Sequence, residues 1–262
     1  MSRRRSTRRS GLGTVVVVVL LAAAFVAWDR AGQPDDLTEI TQGIELPDAS
    51  GLPDLPGTDD AEAGSALAAV GQLEVKGRAP RTGYERDEFG PAWADVDHNG
   101  CDTRNDVLRR DLVDTTAKPD TRGCVVATGT LDDPYSGDTI RFERGQSTSS
   151  MVQIDHVVAL ADAWQKGAQQ WDEDLRAAFA NDPLNLLAVD GPTNSAKGAG
   201  DTATWLPPDT GYRCEYVARQ VGVKLEYELW VTRAEADAME KVLGSCPDEP
   251  LPLADPVPEP VG

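Results

Sequence analysis

Histidine is scarce, with two in 262 residues. Any chemistry that needs a base near neutral pH, where imidazole with its ordinary pKa of about 6.5 is the natural choice, therefore falls to His98 or His156. Positive charge is scarce as well, with 25 Lys and Arg against 44 Asp and Glu and a formal net charge of -19. That charge divides into +5 over residues 1–30, -10 over 31–74, -10 over 75–246 and -4 over 247–262. A broad basic surface that grips nucleic acid regardless of sequence is thereby excluded, and any nucleic-acid affinity is expected to be modest and salt-sensitive. No Gly-x-Ser-x-Gly elbow is present, which removes the usual serine-hydrolase signature. None of the four cysteines has a neighbour at Cys-x-x-Cys spacing, which removes the common metal and redox motifs.

What is present divides the chain by composition. In residues 1–30, Arg3, Arg4, Arg5, Arg8 and Arg9 precede an uncharged stretch from Gly11 to Trp28 dominated by Val, Leu and Ala. This is a membrane-targeting segment. As a helix, residues 11–28 would span about 27 Å, close to the ~30 Å hydrocarbon thickness. A single-pass anchor with the N-terminus inside is expected, leaving the remainder on the extracellular face of the cell membrane. Cleavage at Ala22-Ala23-Ala24, which would release a secreted protein, is the other reading. Residues 31–74 read as an acidic disordered linker, because Gly32 to Glu74 holds ten Asp or Glu and no Lys or Arg among repeated Pro, Gly, Ala and Ser. Residues 247–262 read as a Pro-rich tail. The folded domain is expected at 75–246.

Cys101, Cys124, Cys214 and Cys246 all follow the targeting segment and so lie in an oxidising compartment, where two disulfides are expected. Three pairings are possible. Cys101 with Cys124 and Cys214 with Cys246 is favoured, each loop contributing about 3 to 4 kcal/mol on the chain-entropy account.

Hydrophobic spacing predicts the elements of the domain. A short helix is expected over Asn105 to Leu112, capped by Asp102 or Thr103. Val125 to Leu131 and Thr139 to Phe142 read as a hairpin turned by Asp132 to Gly137. Ala159 to Trp171, Asp174 to Ala180 and Tyr212 to Gly222 have helical spacing, and Thr232 with Glu235 forms a capping box before a last helix. Tyr84 to Trp93, with aromatics among charges, is expected to cap the core irregularly. Arg213 and Lys224 are expected at the solvated surface, with substrate binding as the other reading.

The chemistry concentrates at His156. It stands beside Asp155 after an apolar run, Met151 to Ile154, that reads as a strand, and Leu184 to Val189, holding Asn185, reads as the return strand. Asp190-Gly191-Pro192 turns the chain, and Thr193 is placed to cap a helix carrying Asn194 and, one turn on, Lys197. Metal-assisted phosphodiester hydrolysis needs a base to take a proton from water. It also needs a hard cation on oxygen ligands to neutralise charge at the phosphate and the leaving oxygen.

Asp155-His156, Asn185 and Asn194-x-x-Lys197, in that order on strand, strand and helix, resemble the HNH endonucleases, also called ββα-metal or His-Me finger endonucleases. The likeness is to the branch with Asp-His in the first motif and Asn in the third position. Residues 99–106, 133–137 and 205–208 look like secreted or surface-attached members of that branch, so the resemblance covers roughly Tyr84 to Cys246. It implies an α+β fold, an HNH-type finger with an added hairpin and surrounding helices, stapled by two disulfides. It implies Asp155 and Asn194 as metal ligands, His156 as general base and Asn185 as a brace for the loop carrying the histidine. Lys197 would meet substrate phosphate or order the helix start, and Arg104 would meet phosphate, with an ion pair to Asp102 or Asp106 as its competing role. The cofactor implied is Mg2+, with Mn2+ as a substitute, and the substrate DNA, with RNA as a second.

Two rivals remain. Asp95, Asp97, Asn99 and Asp106 are spaced like the ligands of a Ca2+ loop, although the twelfth position holds Asp where Glu is usual. That spacing would suit a calcium-stabilised surface binding module on an inactive HNH scaffold. The other rival is a hydrolase of a non-nucleic phosphodiester polymer.

Overall fold

The computed structural model describes residues 64–252. The targeting segment, most of the acidic linker and the end of the Pro-rich tail lie outside the described residues. Among the described residues no helix is long and apolar enough to cross a membrane.

The first element is a helix inside the stretch expected to be linker. α1 (Ala66–Val70) is capped by the Ser65 hydroxyl, which accepts from the Ala68 N–H at 3.3 Å, and it buries Ala66, Leu67, Ala69 and Val70. The other end of the chain holds it, since Ala66 N–H donates to Glu249 O and Leu251 N–H to Gly64 O. The folded unit therefore extends beyond both expected boundaries. Five small apolar residues were diluted by the acidic composition around them.

After a 3-10 turn at Arg86–Phe89 comes α2 (Thr103–Asp111), whose cap is Asp102, accepting from Asn105 N–H at 2.9 Å. β1 (Val113–Ala117), β2 (Val126–Asp132) and β3 (Thr139–Glu143) form an antiparallel sheet in that order. The β2–β3 hairpin is the expected one. β1 was not foreseen, because it is a mostly exposed, Thr-rich edge with an irregular register and no apolar alternation.

β4 (Val152–His156) ends on the histidine. The connection then runs through α3 (Leu160–Trp164), a 3-10 turn at Ala168–Gln170 and α4 (Glu173–Asn181) before β5 (Leu186–Asp190) returns. β4 and β5 are antiparallel, with Val152 opposite Asp190 and His156 opposite Leu186. The single helix expected from Ala159 to Trp171 is broken at Gly167, whose φ of 138° glycine alone adopts without strain.

α5 (Gly191–Lys197) follows β5 with no loop. Its cap is Asp190, accepting from Thr193 N–H at 2.8 Å, and Thr193 lies inside the first turn instead of capping it. Gly191 is required there, since a Cβ would stand 2.1 Å from Ser150 O. α6 (Arg213–Glu226) continues past Gly222, and α7 (Arg233–Leu243) opens with the expected capping box.

The β4–β5 ribbon is covered on both faces. Val152, Ile154, Leu186 and Ala188 pack against α2 and the three-stranded sheet through Leu108, Leu131 and Phe142. Val157, Leu187 and Val189 pack with Tyr135, Tyr216, Val217 and α1. Burying a Val or Leu side chain fully contributes about 1.5 to 3 kcal/mol, so the ribbon is among the best-held parts of the fold. The architecture is α+β with two disulfides. Cys101–Cys124 ties the approach to α2 to the start of β2, and Cys214–Cys246 ties the start of α6 to the chain after α7.

Lys224 is not at the surface. It and Lys166 are fully buried, with Lys166 Nζ at 2.8 Å from both Asp162 and Asp201 and 2.6 Å from Glu235, and Lys224 Nζ at 3.3 Å from Asp162 and 3.0 Å from Glu235. Arg78 closes the network onto Asp162 and Asp201. Burial alone would raise the Asp201 carboxyl, but Lys166, Thr204 and Arg78 outweigh it and bring it down to about 2. Arg213 is half-buried and donates to Pro207 O at 2.9 Å.

Candidate active site

The last residues of β4 deliver Asp155 and His156, and the first turn of α5 delivers Asn194 beside them. With Gln153, these three line one cleft of about 390 Å³. A smaller cavity shares His156 and is walled by Phe89, Trp93 and Ala180.

His156 is 7 % exposed, and its Nε2 lies 2.9 Å from the Ala180 carbonyl oxygen. A carbonyl can only accept, so Nε2 carries the proton and Nδ1 keeps its lone pair. The Trp93 ring lies nearly parallel to the imidazole, 19° apart with centroids 6.5 Å distant. Burial drives the imidazole pKa down to about 3; the bond to Ala180 resists this, and Arg86 and Lys197 add to the fall. The ring is neutral across the neutral pH range.

Asn185 fixes the chain that follows the histidine. Its side-chain oxygen accepts from Val158 N–H at 2.8 Å, its amide donates to Val158 O and Phe179 O at 3.3 and 3.4 Å, and its own carbonyl accepts from Val157 N–H at 2.8 Å. Two guanidinium groups hold the backbone around it. Arg110 donates to Pro183 O and Leu186 O at 2.8 and 2.6 Å, and Arg219 to Leu184 O at 2.6 Å.

Asp155 is 5 % exposed and heavily engaged. Tyr135 OH donates to Oδ2 at 2.6 Å, and Lys197 Nζ lies 2.9 Å from Oδ1 and 2.8 Å from Oδ2. Burial raises the carboxyl's pKa, with Lys197 and then Tyr135 pulling against it. Lys197 also donates to His156 O at 2.8 Å. Its side chain is fully buried, so it is placed as an internal counter-ion and not at an open surface where a phosphate would meet it. Asn194 is half-buried, donating from Nδ2 to Gln153 Oε1 at 2.9 Å, and its amide oxygen takes no hydrogen bond among the described residues.

Arg104 and the calcium-loop candidates stand apart from the cleft. Arg104 does not line it; Nη1 is buried without a hydrogen-bond partner, and burial followed by Arg144 lowers its pKa. Neither expected ion pair forms, because Asp102 is spent capping α2 and Asp106 pairs with Arg109 at 3.0 Å. The calcium-loop residues make local bonds, although Asp95 Oδ1 is buried without a hydrogen-bond partner. Asp95 accepts from Gly100 N–H at 3.0 Å, Asp97 from Asn99 N–H at 3.1 Å, and Asn99 from Cys101 N–H at 2.8 Å. Asp95, Asp97 and Asp106 do not gather within 4.8 Å of one another. Asp106, short and bound to Arg109, does not supply the reach of a bidentate Glu. His98 is exposed.

Residues to which the sequence assigned no role complete the cleft. Arg81, Tyr84 and Arg86 also line it, and Tyr135 donates to Asp155. Tyr84 and Arg86 had as advance signal the mixture of aromatics and charges in 84–93, and Tyr135 its place in the 133–137 stretch of the resemblance; Arg81 had none.

No solved structure matches the chain. A protein of Arthroderma benhamiae described as an uncharacterized secreted protein is 38% identical over 186 residues, covering 70% of this chain and 86% of that protein. The family described as GmrSD restriction endonucleases, C-terminal domain, matches residues 102–242, more than half of the chain and every element from α2 into α7. That span contains Asp155, His156, Asn185, Asn194 and Lys197, and the chain belongs to this family.

Proposed function

We propose that this protein is a metal-dependent endonuclease of the HNH type that hydrolyses phosphodiester bonds of DNA, with RNA as a second substrate, outside the cytoplasm. The observation that carries the proposal is the neutral His156, with Nε2 committed to Ala180 O and Nδ1 unprotonated, in one cleft with Asp155 and Asn194. The succession β4, β5, α5, two antiparallel strands followed by a helix, supports reading this part as the finger of that fold class. Family membership favours nucleic acid over a non-nucleic phosphodiester. Two disulfides, an N-terminal targeting segment and a relative described as secreted support an extracytoplasmic place, and the relative favours release over anchoring.

The donors fit a hard divalent cation such as Mg2+ or Mn2+. Each carboxylate oxygen has two acceptor directions, so Lys197 and Tyr135 leave Asp155 acceptor capacity, and the unused Asn194 oxygen is a second hard donor. When bound, the cation supplies charge neutralisation at the phosphate and the leaving oxygen.

His156 takes the proton of the attacking water on Nδ1. A base with a pKa near 3 is weak, but an approaching phosphate anion favours the imidazolium and raises it. Asn185 positions the histidine's loop, and Lys197 holds Asp155 and the His156 carbonyl in register. Plasmid DNA and single-stranded RNA incubated with Mg2+, Mn2+ or EDTA test the proposal. Products are expected with either cation, and none with EDTA or with His156→Ala. Cleavage by His156→Ala at the wild-type rate would overturn it.

A further inference from the structure

We infer that the segment from Arg81 to Arg86 is the phosphate-binding wall of this cleft, Arg81 and Arg86 each holding a backbone phosphate of the nucleic acid beside the bond at His156. The inference rests on the nuclease reading above and assigns how the substrate is held.

Arg81, Tyr84 and Arg86 line the same cleft as Asp155, His156 and Asn194. The Asp155 charge is already met by Lys197. The two arginines therefore leave the cleft net positive on a protein whose formal charge is -19. Both are exposed, and among the described residues neither forms an ion pair. Arg78, Arg109 and Arg176 elsewhere in the fold are bound to carboxylates. The Arg81 guanidinium lies 4.7 Å from the centre of the Tyr84 ring, a contact that orients a planar cation without neutralising it. Asp87, on the turn with Arg86, lines the smaller cavity and not the cleft.

The wall is fixed to the domain. Ala79 N–H donates to Gln165 O at 2.9 Å, and Gln165 Nε2 donates back to Ala79 O at 3.0 Å. Trp164 Nε1 donates to Thr82 O at 3.3 Å, Arg176 Nε to Glu88 O at 2.7 Å, and Phe89 is 1 % exposed. Cationic groups held in place before the substrate arrives lose little freedom on binding. The segment also precedes the residues that match the family, 102–242, so the grip on substrate is an addition to the part that carries His156.

The test compares wild type, Arg81→Ala, Arg86→Ala, the double variant and Arg141→Ala, an exposed arginine on β3 away from the cleft. Cleavage of an oligonucleotide is followed from 50 to 300 mM salt, with unchanged thermal melting as the check on folding. Each cleft variant is expected to lose about tenfold in kcat/KM, mostly through KM. Each should also flatten the decline of log kcat/KM with log salt by about one phosphate contact's worth, a slope change near 0.7 to 0.9. A double variant that cleaves like Arg141→Ala, with the same salt slope, overturns the inference and leaves the nuclease standing. A wild type that neither cleaves nor binds the oligonucleotide overturns the nuclease reading and this inference with it.

Discussion

Replacing Lys197 with Met tests whether the buried ammonium is what allows Asp155 to exist as a carboxylate. Met keeps the apolar stem but removes the contacts at 2.9 and 2.8 Å to Asp155 and at 2.8 Å to His156 O. Asp155, 5 % exposed, is left with Tyr135 as its remaining side-chain donor. Breaking a buried pair by removing one member costs about 3 to 5 kcal/mol. The carboxyl can instead take up a proton, which from an ordinary pKa near 3.9 costs about 1.4 kcal/mol for each unit up to the working pH, about 5 kcal/mol at pH 7.5. Both routes give a loss on the order of 4 kcal/mol, or roughly 10 °C in melting temperature for a domain of this size. Without Lys197 the folded-state pKa of Asp155 rises further above its unfolded value, so the penalty is largest at high pH and shrinks as pH falls and the carboxyl protonates. Urea unfolding at pH 7.5 and pH 5, in EDTA, measures it. Asp155→Asn combined with Lys197→Met should recover much of the loss, because an amide needs no counter-charge. Added Mg2+ should stabilise Lys197→Met more than wild type if Asp155 is a cation ligand. A single variant within 1 kcal/mol of wild type, or a double variant no more stable than the single, would show that Lys197 does not neutralise Asp155.

Asn185→Ala orphans the Val158 N–H and two carbonyls in a fully buried site, so it should cost about 2 to 4 kcal/mol in urea unfolding and lower kcat at least tenfold; an unchanged kcat would remove its positioning role. Asp201, held down at about 2 in the fold against about 3.9 unfolded, contributes on the order of 2 kcal/mol that is fully present above pH 4 and lost as pH falls through about 2. Asp201→Asn should remove that contribution at pH 7, so that the gap between variant and wild type closes between pH 4 and pH 2. Removing either disulfide by paired Cys→Ala substitution should cost about 3 to 4 kcal/mol, read from urea midpoints.

The ribbon and the helix after it were legible because their signals are local. Val152, Ile154 and Leu186 to Val189 supply the apolar positions of two short strands, and Asp190-Gly191-Pro192, read as a turn, stands where the helix in fact opens. The capping box at Thr232 and Glu235 is likewise contained in four residues. The fates of Lys166, Lys197 and Lys224 were not legible, because a lysine reads as solvated unless its carboxylates are known, and apart from Asp162 beside Lys166 these come from far along the chain. Lys166 meets Glu235 69 positions away, and Lys197 meets Asp155 42 positions away. Arg81 and Arg86 were missed for the converse reason. Exposed arginines are common, and only the folding of residues 79–89 against α3 and α4 turns this pair toward His156.

The buried charges decide how an acidic protein meets a polyanion. Among the described residues five basic side chains, Lys166, Arg176, Lys197, Arg219 and Lys224, are buried, and so are six acids, Asp106, Asp133, Asp155, Asp162, Asp201 and Glu235. The interior is thus nearly neutral, and the -10 of residues 75–246 is carried almost wholly by the surface. Two electrostatic influences then act on substrate with opposite salt dependence. Repulsion from the surface is long-ranged and fades as the Debye length shrinks from about 30 Å at 0.01 M to about 8 Å at 0.15 M, so encounter quickens as salt is added. Direct phosphate contacts at Arg81 and Arg86 weaken over the same range as counterions compete. Wild-type kcat/KM should therefore pass through a maximum at intermediate ionic strength. In the Arg81→Ala, Arg86→Ala double variant only the repulsion remains, and kcat/KM should rise throughout. A wild-type rate that falls steadily from 10 mM salt upward would mean that the substrate does not feel the acidic surface, and that the cleft faces it through a more extensive basic region than these two arginines.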